Sequence, residues 1–180
     1  MTPFLAVIAI IAAVNPFAAA ARLDGKRPPP RHIITAGNLS LAIYTLAAAF
    51  AGDILEALSV EPESFLVAAA VIIAASGAAT IALGPLRLHF DPASGYADLV
   101  PLAVPVLLGP AGLSAVIVVA TRESAGLAIV GSLAAVVVCL GLAVARFGAA
   151  APLADGLARL LAGLAVVIAA GFAVDGIRAI

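Results

Sequence analysis

Polar residues in this chain gather into short clusters, and the stretches between them are almost wholly apolar. The apolar runs are Phe4–Ala21, Ile33–Gly52, Phe65–Leu86, Leu99–Ala120, Leu127–Ala145 and Leu160–Val174, the last able to extend to Ile177. A bilayer core about 30 Å thick is crossed by a helix of about 20 apolar residues. The pattern therefore predicts an all-α, polytopic membrane protein with six transmembrane helices and no room for a soluble domain. The first run is not expected to be the h-region of a removed signal peptide, because it lacks a basic flank and an Asn-Pro pair interrupts it.

Composition agrees with the pattern. The chain is 64% hydrophobic and 11% charged, with a mean hydropathy of +1.24, whereas soluble domains hold about 45–50% apolar and about 25% charged residues. Charge between the runs predicts orientation, since Lys and Arg accumulate in cytoplasmic loops. Arg22, Lys26, Arg27, Arg31, Arg87, Arg146 and Arg159 fall on one side, and only Arg122 and Arg178 on the other, beside Asp53, Glu56, Glu61, Glu63, Glu123 and Asp175. Six spans then place the first connection in the cytoplasm and both termini outside. The expected location is the inner (plasma) membrane of a prokaryote.

The chain also resembles itself. AVIIAASG from Ala70 reads against AVVIAAGF from Ala165 at an offset of 95, and Asn15-Pro16 stands 94 residues before Gly109-Pro110. Runs one and four thus correspond, as do runs three and six. Three spans per copy force the copies to enter the membrane in opposite senses, which predicts a single transmembrane domain over 1–180 with repeats at about 1–90 and 95–180. Inverted repeats of this kind mark many secondary transporters.

The two proline pairs carry the chemistry. Pro lacks a backbone N–H and clashes with the carbonyl four residues back, so Pro16 frees the carbonyl of Ala12 and Pro110 that of Val106. Pro is also favoured as the first residue of a helix, with Asn or Gly acceptable as its N-cap. Helices one and four are therefore expected to be broken, each with a half-helix whose N-terminal N–H groups lie within the membrane. Irregular backbone at that depth must be buried in protein or face water. The expectation is a shared site of converging donors suited to a carboxylate or other small anionic group, with the freed carbonyls available to a cation. The alternative is a pair of proline kinks repaired by neighbouring Ser and Thr.

Three stretches, NPF (Asn15–Phe17), PLAVPVLLGPAGLS (Pro101–Ser114) and GLAVVIAAGFAVDGI (Gly163–Ile177), resemble the MarC-type integral membrane proteins, which include small neutral amino acid transporters. The resemblance spans nearly the whole chain, and the run-four motif is its most specific part. It implies six helices in two inverted triplets and, for some members, transport of glycine or alanine. The chain departs from the family pattern after Phe17, where Ala18, Ala19 and Ala20 stand in place of Gly, a polar residue and a small residue or Pro, and in run three, where the Gly-Gly of the family is reduced to Ser76-Gly77 or to alanines.

The remaining polar residues divide between site and packing. Asn38 and Thr45, seven apart on one helix face, either line a cavity beside Asn15 or are wet at the interface. Ser76, Gly77 and Thr80 either allow close helix packing or offer a ligand hydroxyl at Ser76. Gly112 and Ser114 follow the second break, Gly112 letting a solute approach the backbone and Ser114 presenting its hydroxyl. The expected substrate-binding set is Asn15, Pro16, Phe17, Asn38, Ser76, Gly77, Gly109, Pro110, Gly112 and Ser114. Asp53, Asp98 and Asp175 lie at helix ends, and no charged residue is expected in the middle of a span, so a proton relay lacks its usual carboxylate.

Other functions find little support. There is no H-E-x-x-H, no buried carboxylate pair and no Ser or Cys with a His or Lys partner in a span, so the chain is not expected to be an enzyme. Cys139 reads as a small packing residue without metal-ligand companions, and no cofactor or metal is expected. No basic stripe with aromatics points to nucleic acid. The expected partners are a small solute, the lipid bilayer and a second copy of the chain, the last from flat faces rich in Ala and Gly. Two other readings stay open: a non-transporting scaffold that pairs with a partner helix, and a flippase for lipid-linked phosphates, which would want Arg or Lys at depth.

Overall fold

A computed structural model of the chain describes residues 1–22, 30–85, 107–145 and 151–180. Lys26, Arg27, Arg87, His89, Asp98, Pro101, Pro105, Arg146 and the first half of run four lie outside the described residues. The described residues form eight helices: α1 (Pro3–Val14), α2 (Pro16–Arg22), α3 (Pro30–Ala49), α4 (Ala51–Ala57), α5 (Pro62–Leu83), α6 (Pro110–Arg122), α7 (Ala125–Val144) and α8 (Ala151–Ala179). No strand occurs among them.

Local chemistry sets the boundaries. Proline stands at the first position of α1, α2, α3, α5 and α6, where its fixed φ suits a helix and its missing N–H would have had no partner. The Ser124 hydroxyl accepts from the Leu127 N–H at 3.2 Å and caps α7. Gly84, at φ 76°, ends α5 in a conformation that a β-carbon would strain. Hydroxyls inside helices are satisfied one turn back: Ser40 donates to Ala36 O at 2.8 Å, Thr80 to Ser76 O at 3.0 Å and Ser132 to Ala128 O at 2.7 Å.

Among the described residues, five stretches are long and apolar enough to cross a bilayer: Pro3–Arg22, Arg31–Ala49, Pro62–Leu83, Ala125–Val144 and Pro152–Ala179. The sixth expected span is described only as the shorter apolar helix α6, of 13 residues, which rises about 20 Å and falls short of the bilayer core by itself. The last run is longer than its apolar core predicts. α8 has 29 residues and carries Asp155, Arg159 and Asp175 within it, because a polar turn at the end of a span can stay helical where it meets water or headgroups. The molecule is a helical, multi-pass membrane protein.

The exterior is apolar and the interior is small. Leu83 is 85% exposed, Phe4 76% and Leu160 73%, a surface that lipid covers and water does not. The core is built largely from alanine, with Ile10, Tyr44, Ile73, Val116 and Phe172 as its bulkier members. Small residues let backbones close in. α5 and α8 run antiparallel along the most extensive seam among the described residues, and a β-carbon on Gly77 would lie 2.9 Å from Ala162 O. Farther along the same seam, a β-carbon on Gly176 would lie 3.1 Å from Glu63 O.

The two ends of the bundle differ in charge. At one end Arg159 Nη1 donates to Ile81 O at 2.6 Å, and the last residue of α2 is Arg22. At the other, the Met1 ammonium meets the Glu123 carboxylate at 2.9 Å and Arg122 lies 3.5 Å from Asp175. The second pair is well exposed, and such pairs contribute roughly 0–1 kcal/mol.

Candidate functional site: the two breaks and the cavity between them

The first break is organised by one side chain. Asn15 sits at φ 52°, ψ 74°, the left-handed region that Asn tolerates better than other L-residues. Its N–H donates to Ile11 O at 2.9 Å and closes α1, while its own carbonyl accepts from the Ala19 N–H at 3.0 Å. Its side-chain Oδ1 accepts from the Ala18 N–H at 3.1 Å, the N-cap bond of α2. Nδ2 crosses to α8 and donates to Ala158 O at 2.9 Å. Asn15 is thus the closing residue of one helix, the cap of the next and a brace to a third. One first-turn donor of α2, the Ala18 N–H, is taken by the Asn15 side chain, so this half-helix does not offer that group to a solute.

The second break is repaired from outside. Gly109 has an ordinary extended conformation, φ −74°, ψ 152°, and offers α6 no side-chain cap. Its carbonyl accepts from the Leu113 N–H at 3.1 Å. Just before it, the Leu107 carbonyl accepts from the Tyr44 hydroxyl at 2.6 Å. Tyr44 is fully buried on α3 and reaches this carbonyl because Gly112 leaves room for it. A β-carbon on Gly112 would stand 2.5 Å from Tyr44 Oη and 3.0 Å from Val14 Cγ2. The space above Gly112 therefore holds a tyrosine, not a solute.

Both breaks border one cavity of about 90 Å³, lined by polar Asn15, Arg22, Ser76 and Thr80 and by Gly109 and Pro110 among small apolar residues. That is on the order of three waters at about 30 Å³ each, a volume for a solute of a few heavy atoms. A wider recess of about 480 Å³ adjoins it, sharing Arg22, Ser76 and Thr80 and bounded by Leu83, Gly84 and Pro85 at the end of α5. The recess lies at the end of the bundle where Arg159 meets Ile81.

Of the residues expected at a site, the cavity brings together Asn15, Ser76, Gly77, Gly109 and Pro110. Pro16, Phe17, Asn38, Gly112 and Ser114 are not among its lining residues. Pro16 and Ser114 are buried elsewhere in the packing. Asn38 is exposed, and the reason is rotational. Its neighbour Gly37 faces Leu140 of α7, and one residue of helix turns the next side chain by about 100°, away from the bundle. Gly77 borders the cavity and also the α5–α8 seam, where Val166 Cγ2 would lie 2.7 Å from a β-carbon on it.

Two polar lining residues, Thr80 and Arg22, stand outside the expected set. Thr80 shares a face of α5 with Ser76, one turn away. Arg22 reads in the sequence as a loop charge after run one, yet it is the last residue of α2 and is only partly exposed, facing cavity and recess together. The signal was available: Asn15-Pro16 restarts the helix, and seven residues of α2 carry it to Arg22. Cys139 packs with Ala19, Ile33, Ala36 and Leu107. No family model, curated protein or solved structure matches the chain.

Proposed function

We propose that the chain is a secondary membrane transporter of a small solute, with small neutral amino acids such as glycine or alanine as the leading class, working by alternating access. The observation that carries this reading is the cavity itself: breaks from the two halves of the chain border one small, partly polar space with a wider recess beside it. Irregular backbone within a bilayer needs such a setting, and binding at a paired break is how many inverted-repeat transporters hold their cargo.

The reading takes the chain as six spans in two inverted triplets, lying in the inner membrane of a prokaryote with both termini outside. It is supported by the antiparallel pairing of α5 with α8, the helices of the corresponding runs three and six. Segregation of Arg22 and Arg159 from Glu123 and Asp175 supports the orientation. The resemblance to MarC-type proteins supplies the solute class.

Proteoliposome uptake of radiolabelled glycine, alanine and serine tests the proposal, and accumulation above empty liposomes is expected. Uptake equal to empty liposomes across a broad panel of small solutes rejects it in favour of a non-transporting scaffold. Ala165→Leu places three further carbons against a cavity that Ala165 lines. It is expected to lower uptake at least tenfold while the chain still elutes as a single species.

A further inference from the structure

Arg22 occupies a position that the transport reading does not use. It lines both the cavity and the recess, so a solute passing from one to the other passes this residue. Across from it, on α5, Ser76 and Thr80 line the same two spaces. Thr80 donates its proton to Ser76 O, which leaves its oxygen as an acceptor, while the Ser76 hydroxyl is a donor that can turn toward a guest. A second guanidinium stands close by: Arg159 Nη2 is 3.3 Å from the β-carbon position of Gly84, and Gly84 borders the recess.

A guanidinium keeps its charge at any physiological pH and matches the two oxygens of a carboxylate in plane. Near low-dielectric walls its field extends farther than in water and acts on both signs of charge. It draws in an oxyanion and repels an ammonium that lacks one.

We propose that Arg22 sets the charge selectivity of the cavity, admitting small solutes that carry a carboxylate and excluding cations of the same size. The inference rests on the transport reading above and names the chemical feature its solute must have. In a zwitterion such as glycine, the carboxylate would face Arg22 and the Ser76 hydroxyl, and the ammonium would point away toward the acceptor oxygens of the cavity.

The test compares two probes of equal heavy-atom count, glycine and glycinamide, the second a cation at neutral pH without a carboxylate. The full chain in proteoliposomes is expected to take up glycine at least tenfold faster than glycinamide. Arg22→Lys should keep that preference, and Arg22→Gln should bring the ratio to within about twofold of unity. Because Arg22→Gln can also disturb folding, Ser76→Asp serves as a second variant. It sets a negative charge opposite Arg22 and should lower the ratio at least tenfold. Wild-type preference retained in monodisperse Arg22→Gln or Ser76→Asp protein overturns the proposal and leaves the transport reading standing. Failure of wild type to move either probe or any of the wider panel overturns the transport reading, and this proposal with it.

Discussion

Both breaks put a proline at the start of a short helix, and the molecule completes them by different means. At Asn15-Pro16 one residue does the work, capping α2, ending α1 in a left-handed turn and bonding to Ala158 O. At Gly109-Pro110 the local residues contribute almost nothing, and a tyrosine from α3 supplies the bond that the Leu107 carbonyl needs. A break with a polar side chain at its centre is repaired mostly from within. A break built on glycine depends on its neighbours, and its geometry is set by how α3 is seated.

That contrast is sharpened or broken by substitution, with thermal unfolding of detergent-purified protein as the common measurement. The largest effect is expected at Asn15. Asn15→Leu removes the cap, forces a bulky residue into the left-handed region and deletes the bond to α8, for a combined loss of about 3 kcal/mol. The variant is destabilising whether or not the chain carries a solute, so it cannot separate a transporter from a scaffold. A loss below about 1 kcal/mol, the usual value of a cap by itself, would mean that the first break is not centred on this side chain.

Next comes Gly112→Ala, whose β-carbon would drive Tyr44 off the Leu107 carbonyl, at a cost of about 2 kcal/mol. Tyr44→Phe keeps the packing and deletes the bond, leaving a buried carbonyl short of a partner, for about 1 kcal/mol. The two changes meet at one hydroxyl, so they should not add. In the Tyr44→Phe background Gly112→Ala is expected to cost about half as much as in wild type. Strict additivity would show that the second break does not lean on Tyr44. The smallest effect belongs to Gly171, a helix glycine with nothing within 4 Å of its β-carbon position. Gly171→Ala should stabilise by roughly 0.5 kcal/mol through helix propensity, which marks the baseline for a glycine that no contact requires.

Legibility in the sequence followed the range of each interaction. The positions of the breaks were plain, because the effect of Pro16 and Pro110 on the helix is local. Caps such as Ser124 are readable for the same reason. The role of Gly112 was not readable: its neighbour is Tyr44, 68 positions earlier in the chain, and a small residue after a break looks the same whether it faces a solute or a phenol. Asn38 shows the same limit in rotation, since nothing local says which face of α3 meets the bundle. Arg22 was obscured because charge counts assign a cation beyond an apolar run to the loop, while the restarted helix α2 returns it to the cavity wall. Mid-helix hydroxyls such as Ser40 and Ser132 look like candidates in a polar count, yet they bond to their own helix and advertise nothing.

The bond from Asn15 to Ala158 also bears on how the chain is made. Its two ends lie 143 residues apart, so a ribosome feeding the chain into a membrane from the N-terminus delivers the amide long before the carbonyl that receives it. Throughout that interval the first span must keep Asn15 in contact with water, the insertion machinery or a temporary neighbour. α8 releases it when it emerges, so a bond of the first break is completed only by a helix made much later.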